Sequence, residues 1–164
     1  MQPGQPAPSF RLTAAVSGRV IGPGLVGERP LVLLFHNQHT LAAVRELQEA
    51  VRQRYPSAQE VLVASVADTS KAPRLLRGVV EAALKHAYAE ASKFVPAGLD
   101  PADYVIILPD WSGAVTKAYG VGNVDREGEV VVIDGMGRLV GKHRGQQPGQ
   151  AALAFLASLK LTLN

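Results

Sequence analysis

Three short apolar runs, separated by segments of helical period, constrain this chain more than any other feature. Leu31-Val32-Leu33-Leu34-Phe35, Val61-Leu62-Val63-Ala64-Ser65-Val66 and Tyr104-Val105-Ile106-Ile107-Leu108 contain no charged residue. Runs of this length and character are expected of strands buried on both faces, as in parallel sheets covered by helices. Between the first two runs, Leu41, Val44, Leu47 and Val51 recur at spacings of three and four, one stripe of an amphipathic helix. Asn37 is its candidate N-cap and Pro56 its stop. Between the second and third runs, the pattern predicts a long helix from about Pro73 to Phe94. Its inward face would carry Leu76, Val79, Val80, Ala83, Leu84, Ala87 and Ala91, or Gly78 would divide it into two shorter helices. Strands joined in this way pair in parallel through right-handed crossovers.

The ends of the chain complete the pattern. Phe10-Arg11-Leu12-Thr13, the Ser17-Gly18 turn and Val20-Ile21 read as a short N-terminal β element. Pro96–Pro101 is loop-like, and Pro109-Asp110 leads into a short helix that reaches Tyr119-Gly120. Val130–Ile133 and Arg138–His143 flank Asp134-Gly135-Met136-Gly137 as an antiparallel hairpin, and Ala151–Leu159 reads as a closing helix. The expected fold class is therefore α/β: a three-layer sandwich with a central mixed β-sheet flanked by helices. It has a short β element in front and an enlarged helical segment at about 70–100. At 164 residues, the expectation is one domain spanning 1–164.

Composition narrows the chemistry. The chain has no cysteine, so disulfides and thiolate ligands are excluded. A net charge of +3 with basic residues interspersed among acidic ones, and 5% aromatic residues, lacks the basic, aromatic-studded face of a nucleic-acid binder. Lys142-His143-Arg144 is a local cluster only. The longest apolar runs fall far short of the roughly 20 residues that span a bilayer, and no membrane partner is expected. Met1–Pro8 lacks a basic stretch followed by an apolar one, so a cytoplasmic location is expected. No glycine-rich phosphate cradle precedes a helix, since Gly120-Val121-Gly122 follows one. Ser65 and Ser112 lack a Gly-x-Ser-x-Gly elbow. No cofactor is implied.

Several local phrases, in order along the chain, resemble the thioredoxin-fold superfamily, and within it the peroxiredoxin-like proteins of the alkyl hydroperoxide reductase/thiol-specific antioxidant type. Gly4-Gln5-Pro6-Ala7-Pro8-Ser9-Phe10-Arg11-Leu12 is similar to the family opening Gly-x-x-Ala-Pro-x-Phe-x-Leu. Leu31–Phe35 resembles the strand that delivers the active site, and Val61–Asp68 the strand after it. Leu108-Pro109-Asp110 with Tyr119-Gly120-Val121, and Val130–Asp134 with Gly137, resemble the later strands and turns. The resemblance implies a thioredoxin-like fold over nearly the whole chain.

It also locates a site that has lost its reactive groups. Where a peroxiredoxin carries Pro-x-x-x-Thr-x-x-Cys, this chain reads His36-Asn37-Gln38-His39-Thr40-Leu41-Ala42-Ala43: the threonine is kept as Thr40, His36 stands for the proline and Ala43 for the nucleophile. In a thioredoxin alignment the Cys-x-x-Cys positions fall at Thr40 and Ala43. The position of the family arginine, or of the thioredoxin cis-proline, is Gly128, with Arg126 two residues earlier. Catalytic residues are thus none, with Thr40, Ala43 and Gly128 as degenerate positions. Thiol peroxidase and disulfide exchange chemistry require a thiolate nucleophile that the chain does not possess.

Two readings of function follow. In the first, the chain is a redox-inactive binding or interaction module that holds an unknown protein or small ligand on the former active-site rim. The rim would comprise His36, Asn37, Gln38, His39, Thr40, Asp110, Trp111 and Arg126, and a homodimer is compatible with this reading. In the second, the chain is a non-thiol enzyme or metal-binding protein that uses His36 and His39, with Asp68, Asp110 or His143 as further ligands if folding gathers them. Asp110 and Asp134 also read as turn-capping residues, Trp111 as a core residue or a partner contact, and His86 as a surface residue.

Overall fold

The computed structural model describes residues 1–159. The N-terminal β element is present: β1 (Leu12–Thr13) and β2 (Val20–Ile21) pair antiparallel, with Leu12 opposite Ile21. β3 (Leu31–His36) is buried at every position, as an uninterrupted apolar run requires. It is followed by α1 (Leu41–Arg54), and β4 (Leu62–Asp68) pairs parallel with β3, Leu31 opposite Leu62. A 3-10 turn at Arg74–Leu76 leads into α2 (Arg77–Ser92), and α3 (Pro101–Tyr104) precedes β5 (Ile107–Asp110). After α4 (Ala114–Ala118) come β6 (Glu129–Ile133), β7 (Leu139–Arg144) and α5 (Pro148–Ser158).

The central sheet has five strands in the order β5-β4-β3-β6-β7. β3, β4 and β5 run parallel, and β6 and β7 are antiparallel to their neighbours, the mixed sheet expected from crossover helices followed by a hairpin. In that hairpin Asp134 Oδ1 accepts from the amides of Met136 and Arg138, and Gly137 takes φ +79°, where a side chain would be strained.

Alternation along the strands divides the core into two layers. Val32, Leu34, Val63, Val130 and Val132 face α1 and α5, which pack side by side through Leu47, Val51, Ala152 and Leu156. Leu31, Leu33, Phe35, Leu108 and Val131 face the opposite layer, where Ile21, Val115 and Tyr119 cover them. The Tyr119 ring lies 5.5 Å from Phe35 and 5.8 Å from Phe10, and its hydroxyl donates to the Pro8 carbonyl at 2.7 Å. That bond anchors the N-terminal segment, and burial holds the phenol pKa above its ordinary value.

Three expectations are corrected. The α1 N-cap is Thr40 rather than Asn37, because Asn37–Thr40 closes a turn of its own before the helix begins. The third apolar run is not one strand: Asp100 Oδ1 accepts from the Ala102 amide and Pro101 occupies the first helical turn, so Pro101–Tyr104 is helical and β5 starts at Ile107. The apolar stripe on α2 does not become core. Among the described residues none in α2 is buried: Val80, Leu84 and Ala87 are half-buried, and Leu76, Val79, Ala83 and Ala91 are exposed.

Candidate functional site

The site is built where the parallel strands end. β3 finishes at His36, and α1 starts five residues later; the intervening turn is held by its own polar groups. Asn37 Oδ1 accepts from the His39 amide at 2.8 Å, Thr40 Oγ1 accepts from the Asn37 amide at 3.1 Å, and the Asn37 carbonyl accepts from the Thr40 amide at 3.2 Å. The Thr40 hydroxyl is therefore directed backward, and no side chain caps the first turn of α1.

A second loop closes on this turn. Asn37 Nδ2 donates to Asp125 Oδ1, tying the β3–α1 turn to the segment ahead of β6. Hydrogen bonds from Asn123 and Asn37 hold the Asp125 carboxyl below the ordinary carboxylate range. At the base of that segment lies Gly128, where a Cβ would sit 3.5 Å from Ala43 Cβ, 3.3 Å from the Phe35 carbonyl and 3.0 Å from Leu34 Cδ1. The degenerate positions Ala43 and Gly128 are thus direct neighbours, with Thr40 one turn away. No sulfur, proline or arginine stands among the three.

The expected rim residues separate into two sets. Gln38, His39 and Arg126 are exposed, and Asn37 is half-buried. His36, Thr40 and Asp110 are buried and lie beneath the surface rather than on it. Asp110, fully enclosed, accepts at Oδ2 from both the Thr116 amide and the Thr116 hydroxyl at 2.8 Å, which fixes α4 on the end of β5. That is the capping role read from the sequence. Trp111 is half-buried under the Arg77 guanidinium, 4.4 Å from its ring centre, so it packs against the start of α2.

The two histidines do not converge. His36 Nδ1 lies 3.2 Å from the Asn37 carbonyl, which only accepts, so Nδ1 carries the proton and Nε2 presents a buried lone pair without a partner. Burial lowers the His36 pKa from its ordinary value. His39 is exposed and its Nε2 contacts Gln38 Nε2 at 3.3 Å. Among the described residues no group of three or more histidine, aspartate or glutamate side chains is placed to hold a metal ion.

Sequence reasoning missed Asp125 and Glu129. Glu129, first residue of β6, is buried and bridges Lys142 at 2.6 Å and Arg144 at 3.2 Å on β7. Lys142 also donates to the carbonyls of Tyr119 and Gly120, which fastens the loop after α4. The available signal was a lone charge heading an apolar strand opposite two cations spaced by two. At the other end of the sheet an open cleft of about 450 Å³ is lined by Glu28, Arg29 and Glu60, with Arg29 occupied by the carbonyls of Val26 and Ala58.

No protein-family model matches the sequence, and no curated protein matches it. Solved structures do resemble it. The pneumococcal exposed lipoprotein thioredoxin from Streptococcus pneumoniae superposes with a TM-score of 0.66 at 20% identity, over 92% of this chain and 99% of that one. A putative thiol:disulfide interchange protein DsbE from Chlorobium tepidum gives 0.64 at 17% identity, over 96% and 97%. A thiol-disulfide oxidoreductase from Bacteroides fragilis gives 0.64 at 14%, over 93% and 99%. At such identities the likeness shows the fold alone, and it does not single out the peroxiredoxin-like branch. With a five-stranded mixed sheet between helical layers and these neighbours, the chain has the thioredoxin-like α/β fold.

Proposed function

We propose that this chain is a redox-inactive member of the thioredoxin-like fold that binds a protein or small ligand on the exposed rim around Gln38, His39 and Arg126. The observation that supports the reading is a site kept in form and emptied of its chemistry. The turn Asn37–Thr40 is hydrogen-bonded internally and tied to Asp125, while Thr40 and Ala43 stand where a redox pair would be. An ordered turn with exposed amide and imidazole groups offers donors and acceptors at fixed positions, which suits recognition. Without a thiolate it offers no nucleophile for a peroxide or a disulfide. Within the fold, the Gly4–Leu12 opening and Tyr119-Gly120-Val121 support a peroxiredoxin-like origin. A cytoplasmic setting remains part of the proposal.

Two measurements test it. Hydroperoxide consumption and insulin reduction, each with a dithiol reductant, are expected to equal the protein-free rates. A random-peptide library panned on the protein is expected to yield binders whose affinity falls by about tenfold, or about 1.4 kcal/mol, in a Gln38→Ala, His39→Ala, Arg126→Ala triple variant. Binders indifferent to that variant would place recognition elsewhere.

A further inference from the structure

A second surface is carried by the segment from Lys71 to Phe94, whose Arg77 rests on Trp111. Its 3-10 turn and α2 expose apolar side chains that a stable monomer normally covers: Leu75 is 97% exposed and Val79 66%, with Leu76 beside them, while Phe94 lies past the end of α2 with the Arg45 guanidinium of α1 4.9 Å from its ring centre. The same segment holds five basic residues, Lys71, Arg74, Arg77, Lys85 and Lys93, against two acidic ones, Glu81 and Glu90. The whole chain has 17 basic and 14 acidic residues, so the entire net charge of +3 resides in this segment and the remainder is balanced. Arg77 and Lys93 are paired with Glu81 and Glu90, whereas Lys71, Arg74 and Lys85 form no ion pair among the described residues.

We propose that this face docks an acidic amphipathic helix of another protein. Apolar positions at helical spacing, with small residues such as Gly78 and Ala82 between them, permit close approach of a second helix, and nothing lies within 4 Å of a Cβ placed on Gly78. The positive excess selects an acidic partner and raises its rate of encounter. A second copy of the chain is disfavoured, since it would set the same positive excess against itself. Glu90, on the same side of the helix as Val79 and Ala83, is paired with Lys93, so the unpaired positive charge of this face lies at Arg74 and Lys85.

The test uses the full chain and a synthetic amphipathic helix of leucine and glutamate, followed by the fluorescence of Trp111, the only tryptophan, which lies against Arg77. Binding is expected that weakens by about tenfold when salt rises from low to molar concentration. It is expected to weaken comparably in Leu75→Ser, Val79→Ser and in Lys71→Glu, Arg74→Glu, whose folding circular dichroism checks. The Gln38, His39, Arg126 triple variant is expected to bind it unchanged, which separates this inference from the rim reading. Equal binding of a leucine–lysine helix, binding of phosphatidylserine vesicles in its place, or no binding of the acidic helix would each overturn the proposal. So would a dimer in sedimentation that Val79→Ser dissolves.

Discussion

Glu129 is a charge placed at the head of a strand whose other four residues are apolar, and its stability rests on Lys142 and Arg144. Burial and the neighbouring Arg144 depress the Lys142 pKa, a sign that the lysine is itself partly desolvated. Replacing Glu129 with Gln leaves two cations facing each other. We expect a loss of about 2 kcal/mol in urea denaturation, below the 3–5 typical of fully buried pairs because both cations remain partly in water. His36 shows the opposite case, a buried imidazole without a charged partner. Its depressed pKa means that the folded chain keeps it neutral while the unfolded chain protonates near its ordinary value of 6.5. The associated stability is complete above that value and is lost as pH falls toward the folded pKa. As pH falls through about 6.5, His36→Gln should therefore lose less stability than the parent in urea denaturation followed at several pH values. An identical pH dependence in the two proteins would show that His36 is not the titrating group.

At the scale of elements, α1 and α2 carry similar apolar stripes and meet different fates. The stripe of α1 lies under α5 and over β3, and Leu47 and Val51 are buried. Its C-terminal turn is fastened by Arg52, which donates to the carbonyls of Tyr55, Ser57 and Val61. Partial burial brings the pKa of that guanidinium to about 10. The stripe of α2 is covered only in part: Val80, Leu84 and Ala87 are half-buried and Val79 is exposed. Leu47→Ala should cost about 2–5 kcal/mol, whereas Val79→Ser should change stability by less than about 0.5 kcal/mol, both measured by chemical denaturation. Periodicity reported that each segment is an amphipathic helix. It carried no information on which of the two faces would find a partner within the chain, because that depends on the space left beside the sheet.

For the whole molecule, the arrangement of Thr40, Ala43 and Gly128 can be checked by restoring sulfur. Thr40→Cys with Ala43→Cys places two thiols one helical turn apart at the start of α1, within the span a disulfide needs. Thiol titration should detect two free thiols under reductant and none after mild oxidation. The pair remaining open would contradict this turn geometry.

Most of the fold was readable from residues. Uninterrupted apolar runs define buried strands, and a run that alternates with helix stripes and then ends in a Gly-turn hairpin permits few topologies other than this mixed sheet. The absence of cysteine settled the chemistry that the chain cannot perform, because composition needs no coordinates. Tertiary structure alone decided the rest. It placed His36, Thr40 and Asp110 beneath the rim while Gln38, His39 and Arg126 stayed outside, and it paired Asn37 with Asp125, which lie 88 residues apart. It also left Leu75, Leu76 and Val79, around the start of α2, exposed. Local pattern follows from a side chain and its near neighbours, but burial and pairing depend on segments distant in sequence, and these become neighbours only when the chain closes on itself.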